Sequence, residues 1–356
     1  MPEITTIVTR LTPAIDGVGD YGLNLALELR DRHNLNTKFI VGDPMWEGEA
    51  ITYGFQVQKI QERNSQILEQ ILESSEIILL HYVGYGYARR GCPTWLVEGL
   101  EAWSKKSSNP YLVTMFHELY ATGAIWTSAF WTSPLQQNLF KRVARLSDRC
   151  LTSREDYAKK ISQASNHTQV DQLPVFSNVG ELEHPLPLGQ RQRRLVVFGG
   201  AGWRCHAYRR SLVALEQICR DLEITEIIDI GSPIGFDIPL VNQIRVTVAG
   251  IRTTEEVSKF LAEAIAGFLD YPTEFLGKST IFAAYCAHGV LPVSVFYPNQ
   301  KILDGIEIGK NLLLADRQEV KLDLNLAEAI ASNAHIWYKT HSLSAQGQVF
   351  ASRLRT

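Results

Sequence analysis

The sequence predicts an α/β protein built from two successive, doubly wound domains, and three observations carry that prediction. Apolar strand-like runs alternate with helical patterns almost from end to end, as in a parallel sheet covered by helices on both faces. The alternation breaks over Ser177–Arg194 and then restarts. At 356 residues the chain exceeds one ordinary core and suits two domains of typical size.

The elements read in order. Ile4–Thr9 is a strand, and Tyr21–Arg32 a helix with Leu23, Leu25, Ala26, Leu27 and Leu29 as apolar positions. Thr37–Val41 is a strand, Ser65–Glu73 a helix, Ile77–Val83 a strand, Thr94–Lys105 a helix and Tyr111–Phe116 a strand. A helix over Pro134–Leu146 leads into Arg149–Thr152 and a short helix ending near Ser162. Pro185, Pro187, Gly180 and Gly189, set among polar residues and closed by Arg191, Arg193 and Arg194, mark 177–194 as a linker. Then come strand Leu195–Gly199, helix Tyr208–Leu222, strand Glu226–Gly231 and strand Gln243–Ala249. Helix Thr254–Glu263, strand Ala266–Tyr271, helix Ser279–His288 and strand Leu291–Val295 follow. The expected domains are 1–176 and 195–340, with a last helix at 344–354.

Composition narrows the class. Hydrophobic residues at 45% and charged residues at 21% describe a soluble globular chain, and a net charge of −3 argues against nucleic acid as the main partner. The N-terminal Met-Pro-Glu-Ile-Thr-Thr-Ile lacks the pattern of a secretory signal, and no apolar run approaches the span of a bilayer. Five scattered cysteines without a Cys-x-x-Cys suit free thiols in a reducing cytoplasm.

The most informative segment runs from Tyr271 to Val293: a strand end, an acidic loop with Glu274, a helix opened by Gly277-Lys278-Ser279-Thr280, then Gly289 and a new strand. Amides at a helix start form an anion seat, to which Lys278 adds a cation. The glutamate just before it suits sugar hydroxyls and would repel a phosphate in direct contact. A site that wants both a phosphate and a polyol is a nucleotide-sugar site. A P-loop is rejected, because Pro272 stands where that motif needs its first glycine.

Gly17-Val-Gly-Asp-Tyr-Gly22 fits the dinucleotide pattern between a strand and a helix, with Asp43 placed as a ribose-binding acid. That keeps a nicotinamide-dependent oxidoreductase open, although Leu11–Asp16, with Pro13 inside it, separates the motif from its strand. Glycines serving only a tight turn and close helix packing are the bland reading. Gly199-Gly-Ala-Gly-Trp-Arg204, followed by Arg209 and Arg210, sets cations near a helix start, which calls for an anion. His117 and Glu118 end a strand and do not complete a zinc-protease motif; His81 ends the preceding strand. Tyr120, Trp126, Phe130 and Trp131 form an aromatic cluster suited to a sugar acceptor, a lipid headgroup layer or a small satellite core. No Asp-x-Asp occurs, and no carboxylate–His cluster has metal spacing.

On these residues the chain resembles the retaining glycosyltransferases of family 4. In that family an acidic residue, a short glycine loop and a helix ending in Ala-x-Gly precede a Pro-Val strand, and Glu274 stands at the first motif glutamate. The second, eight residues on, is Phe282 here. The resemblance implies a GT-B fold, two Rossmann-like domains facing a central cleft, with the last helix crossing back to the first domain. It implies a metal-independent transferase that moves a sugar, with retention, from a nucleoside-diphosphate donor to an unidentified saccharide or lipid-linked acceptor. No resident cofactor is expected, and peripheral membrane contact stays open. Glu274 would hold donor hydroxyls and His117 would lie near the transferred sugar. Arg204, Arg209, Gly277, Lys278, Ser279 and Thr280 would bind the diphosphate, with Gly17 and Gly19 closing over it. A catalytically silent protein that binds a sugar nucleotide or a partner remains the other reading.

Overall fold

The computed structural model describes residues 3–123, 126–165, 169–317 and 321–354. The chain forms two compact units, Met1–Leu173 with Leu343–Thr356, and Pro174–Ser342.

The first unit is built on β1 (Glu3–Val8), α1 (Gly17–His33) and β2 (Asn36–Val41), followed by the hairpin β3 (Ile51–Thr52) and β4 (Phe55–Lys59). Then come α2 (Ser65–Leu72), β5 (Ile77–Tyr82), the one-turn α3 (Gly84–Tyr87), α4 (Thr94–Lys106) and β6 (Tyr111–Phe116). The unit continues with α5 (Ser128–Leu146), β7 (Arg149–Thr152), α6 (Glu155–Ala164) and β8 (Asp171–Gln172). The sheet order is β3-β4-β2-β1-β5-β6-β7-β8, parallel apart from the β3–β4 hairpin. Its central strands β1, β5 and β6 are buried over nearly their whole length because helices cover both faces, whereas β4 alternates buried Phe55 and Val57 with exposed Gln56 and Gln58; Ile7, Leu80, Phe116 and Leu139 are fully buried. Winding reverses between β1 and β5, the place in such sheets where ligands collect beyond the carboxyl ends.

The second unit holds β9 (Gln192–Phe198), α7 (Ala201–Arg209), α8 (Leu212–Asp221), β10 (Glu226–Ile230), β11 (Val246–Gly250) and α9 (Thr254–Glu263). It continues with β12 (Ala264–Phe268), α10 (Thr280–Ala287), β13 (Leu291–Ser294), β14 (Leu313–Leu314) and α11 (Leu324–Lys339). The order β11-β10-β9-β12-β13-β14 is parallel throughout and reverses between β9 and β12. The last helix, α12 (Leu343–Leu354), belongs to the first unit, where Tyr21 of α1 donates to Gln346 and Arg353 pairs with Asp171 at 2.6 Å.

Several elements differ from the sequence reading for local reasons. The helix expected over Tyr208–Leu222 is two helices, because Arg210 and Ser211 turn their side chains to Asp270 at the junction. α5 begins before Pro134, since Thr127 caps it through the Phe130 amide and the proline sits on an exposed face. Asn242 and Gln243, at φ 49° and 67°, turn the chain and delay β11 to Val246. The segment read as a linker is bonded into the second unit: Ser177 N–H donates to the Tyr338 hydroxyl at 2.9 Å, and Leu182 N–H to the Ala287 carbonyl at 3.2 Å. No element was expected over 324–339, where α11 forms behind an Asp323 cap and buries Ala327, Ile330, Ala331 and Ala334.

Candidate functional site

In the second unit the residues beyond β12 build the candidate centre. Asp270 is fully buried and gathers Arg210 (Nε at 3.0 Å), the Ser211 hydroxyl (2.6 Å) and the Tyr297 hydroxyl (2.5 Å). This knot fixes the strand end before the chain enters a 3-10 turn over Thr273–Lys278. Glu274 lies in that turn, half-buried, and makes no hydrogen bond or ion pair among the described residues. Gly277 is required by packing: a Cβ there would stand 2.3 Å from the Asp304 carboxylate. Lys278 lies 5.6 Å from the centre of the Phe275 ring.

Ser279 caps α10, its hydroxyl accepting from the Phe282 amide at 3.2 Å, while its own N–H goes to the Leu276 carbonyl at 2.9 Å. The amide expected from Ser279 is therefore already used. Those of Thr280 and Ile281 have no partner among the described residues and carry the helix's partial positive charge. Phe282 is fully buried, with its ring 5.4 Å from that of Trp337.

The cations after β9 are placed otherwise than expected. Arg204 is 2% exposed and donates to Asp229, to the Gly199 carbonyl at 2.9 Å and to the Ser232 carbonyl. Its guanidinium holds the strand ends together, and Tyr208 completes the cluster by donating to Asp229 at 2.9 Å. The diphosphate role assigned to Arg204 is corrected on that ground: a buried guanidinium satisfied by a carboxylate and two carbonyls is a structural tie. Arg209 is exposed and stacks on Phe236 at 4.1 Å. Arg210 is the guanidinium that reaches the β12 end. Trp203 packs on Tyr271 at 4.6 Å, and the space they enclose with Arg204 and Ile281 is about 10 Å³, room for a single water. A groove of about 540 Å³ opens instead beside Arg210, Ser211, Phe296, Tyr297 and Asp316, a volume within the range of small-molecule sites.

In the first unit, the Asp16 carboxylate caps α1, accepting from the amides of Val18 and Gly19 at 3.0 Å and from the Thr9 hydroxyl at 2.9 Å. The Cα of Gly19 lies against the Arg10 carbonyl, where a Cβ would approach to 1.8 Å. Gly19 thus supplies close packing, and its amide is spent; Gly17 is exposed with open space around it. Asp43, the expected ribose acid, is held by Arg10 at 3.2 Å and Arg63 at 3.7 Å. A pyrophosphate at α1 would meet the Asp16 carboxylate, so the nicotinamide reading loses its anion seat. Asp20, in the first turn, has its carboxyl pushed up to about 6 by burial and by Asp16.

His81, near the end of β5, meets His117, just past β6. The parallel register sets His81 opposite Met115, so His117 falls just past the end of β6. His81 Nδ1 and His117 Nε2 are 3.0 Å apart, and the ring of Tyr21 stands edge-on to both at 5.6 and 5.0 Å. His81 is fully buried and burial lowers its pKa to about 3, so it is neutral. Trp126 and Trp131 are 83% and 74% exposed, with Phe130 between them at 40%, so these aromatics are not a satellite core.

Sequence reasoning passed over Asp270, although a lone carboxylate closing the apolar run 264–269 is the signal that finds it. Tyr21 carried no signal, since an aromatic within a glycine-rich helix start reads as packing. Among the described residues no group of three or more His, Cys, Asp or Glu has metal-holding geometry, and no helix is long and apolar enough to cross a membrane.

No protein-family profile and no curated protein matches the sequence. Solved structures do match in three dimensions along the whole chain. They include TarM, at 10% identity, covering 100% of this chain and 99% of that one with a TM-score of 0.65. WaaG, a glycosyltransferase involved in lipopolysaccharide biosynthesis, matches at 13% identity over 99% of both chains, with a TM-score of 0.58. An alpha-glucosyltransferase in complex with UDP matches at 10% identity over 99% of both chains, with a TM-score of 0.57. Two Rossmann-like domains of the GT-B glycosyltransferase type are thus the fold of this chain, and family 4 itself is not distinguished.

Proposed function

We propose that this protein is a metal-independent, retaining glycosyltransferase that uses a nucleoside-diphosphate sugar. The observation that carries the reading is the β12–α10 junction, where a glutamate with no partner among the described residues lies one short turn ahead of open helix amides. Glu274 accepts hydrogen bonds from donor-sugar hydroxyls. The amides of Thr280 and Ile281, the Thr280 hydroxyl and Lys278 stabilise the charge that grows on the departing diphosphate. His117 is assigned to a hydroxyl of the transferred sugar, and Gly17 to a substrate contact. The exposed Trp126, Phe130 and Trp131 are assigned to a saccharide or lipid-linked acceptor, or to a headgroup layer. UDP bound in a structural relative makes UDP the first nucleotide to try. Titration of UDP and UDP-sugars, followed by thermal shift and by release of UDP, tests the reading. Saturation at about 100 times the dissociation constant adds about 2.7 kcal/mol of stability. No shift with any nucleoside diphosphate would remove it.

The burial of Phe282 favours a second reading, a silent protein of the same fold. A buried ring against Trp337 takes the place of a ribose-holding carboxylate. Turnover decides between the two: UDP binding with no release from any UDP-sugar establishes the silent protein. Phe282→Glu should cost several kcal/mol in urea denaturation under either reading, because the carboxylate would enter a dry core. A stable Phe282→Glu variant with tightened UDP affinity would place the ribose at this helix after all.

A further inference from the structure

We infer that the exposed face of α5 docks on the headgroup layer of an anionic lipid bilayer, with the aromatics of its first turns in the layer and the cations of its later turns on the lipid phosphates. Among the roles given to these aromatics this selects the membrane surface, and it does not depend on turnover of a donor.

On α5 the exposed positions Trp131, Leu135, Asn138, Lys141 and Arg145 follow one another at steps of three or four, so they lie on one face. The opposite face, with Leu139, Phe140 and Val143, is buried in the core of the first unit. Along the exposed face the chemistry changes once. Trp131 and Leu135, the latter 46% exposed, stand in the first half beside exposed Phe130 and Pro134, and Trp126 lies just ahead of the helix. Phe130 and Trp131 meet edge to face at 5.4 Å and present one apolar block. The second half carries Lys141 and Arg145. A contiguous exposed apolar patch of this kind marks an interaction surface.

Charge decides the occupant. No Asp or Glu occurs anywhere in α5. Arg142 is spent on Glu101 of α4 through bonds of 2.8 and 2.7 Å, and Glu98 stands near the same guanidinium. Lys141 and Arg145 form no ion pair among the described residues; Arg145 donates to the Ala164 carbonyl at 3.1 Å and keeps its charge. In a chain whose net charge is −3 this face is therefore locally cationic. A helix C-terminus favours a cation, which accounts for Arg145 but not for the apolar half. A neutral saccharide would use the aromatics and leave the cations idle, whereas an anionic bilayer uses both. From Trp131 to Lys141 the helix rises about 15 Å, against about 5–7 Å for one headgroup zone. The helix therefore lies along the layer, sinking its apolar residues about 5–10 Å.

Co-sedimentation of the full chain with vesicles tests the inference, using phosphatidylcholine alone and phosphatidylcholine mixed about two to one with phosphatidylglycerol. The protein should bind the mixed vesicles, and bind phosphatidylcholine alone about 25-fold more weakly, at about fivefold for each of two cations. Lys141→Gln with Arg145→Gln should bring binding to the mixed vesicles down to that neutral level. Trp131→Ser with Leu135→Ser should weaken binding to both kinds at least about tenfold. The melting curve of that variant should match the parent's, because both side chains stand in water. Sedimentation with neither vesicle, equal binding to both, or no effect of either variant pair would overturn the inference. Quenching of tryptophan emission by a neutral oligosaccharide, lost in the aromatic variant and without vesicle binding, would give the face to a saccharide instead. A dimer in light scattering that dissociates in the same variant would give it to a second copy. Absence of UDP binding would count against the transferase reading alone, because vesicle binding is measured without nucleotide.

Discussion

The N-termini of α1 and α10 each stand beside the switch point of their own sheet, and their chemistry is opposite. At α1 a full carboxylate, Asp16, takes two amides and places a negative charge on the helix start. At α10 a neutral hydroxyl, Ser279, takes one amide and leaves Thr280 and Ile281 open, with Lys278 just ahead of them. A helix start becomes an anion seat only where its cap leaves amides unpaired and adds no negative charge. The glycine-rich motif that looks most like a phosphate loop is thus the closed one, and the less regular segment is the open one.

Four experiments press on that difference. The largest effect is expected from Arg204→Ala. Removing the guanidinium strands a buried Asp229 and should cost about 3–5 kcal/mol in chemical denaturation. A variant that keeps full stability but loses nucleoside-diphosphate affinity would return Arg204 to the binding site. Lys278→Ala is next, and here the loss should fall on binding: UDP affinity drops by about 1.5–3 kcal/mol with the melting curve of the free protein nearly unchanged. Calorimetric titration showing equal affinity would close the α10 seat as well.

Acidity probes the buried histidines behind both helices. The His81 pKa is lowered from 6.5 to about 3, so its contribution is present above pH 6.5 and is lost as pH falls towards 3. By pH 5 that loss is about 2 kcal/mol for one such group. Asp20 acts in the other sense. Its carboxyl is raised from 3.8 to about 6, which favours the folded state at low pH and returns about 1 kcal/mol over the same interval. His288, lowered to about 4, and His341, lowered to about 3, add to the histidine side, so the protein should weaken on acidification. In denaturation curves at pH 7 and 5, His81→Asn should lose less stability than the parent. A parent equally stable at both values would show that these rings are solvated. The smallest effect is expected from Asp16→Ala, about 1 kcal/mol for a lost cap. The same change opens the amides of Val18 and Gly19, and inorganic phosphate should then perturb their NMR signals. Silence there would mean that Asp16 is not what closes α1.

Much of the fold was legible because it rests on local periodicity. β6 (Tyr111–Phe116), β7 (Arg149–Thr152) and α9 (Thr254–Glu263) follow from apolar spacing and caps alone. The two doubly wound α/β domains follow from strand–helix alternation interrupted once, and the GT-B type is shared with known structures at 9–13% identity. The position of Glu274 in the turn ahead of α10 was legible too, from the Gly-Lys-Ser helix start. α11 was missed although Asp323 and the Ala327, Ile330, Ala331, Ala334 stripe announce it. The split at Arg210–Ser211 was not legible, because its cause is Asp270, some sixty residues away.

What the sequence determined by itself is therefore the class of each element and the chemistry available at each strand end: glycines, cations, a glutamate and two histidines in the right order. Only the tertiary structure decided which of these groups are spent on the protein itself. Arg204 faces Asp229, Asp16 closes α1, Phe282 enters the core beside Trp337, and His81 meets His117. The reason is physical. Periodicity is written in neighbouring residues, whereas the partner of a charge or a proton is whatever the folded chain brings within about 3 Å.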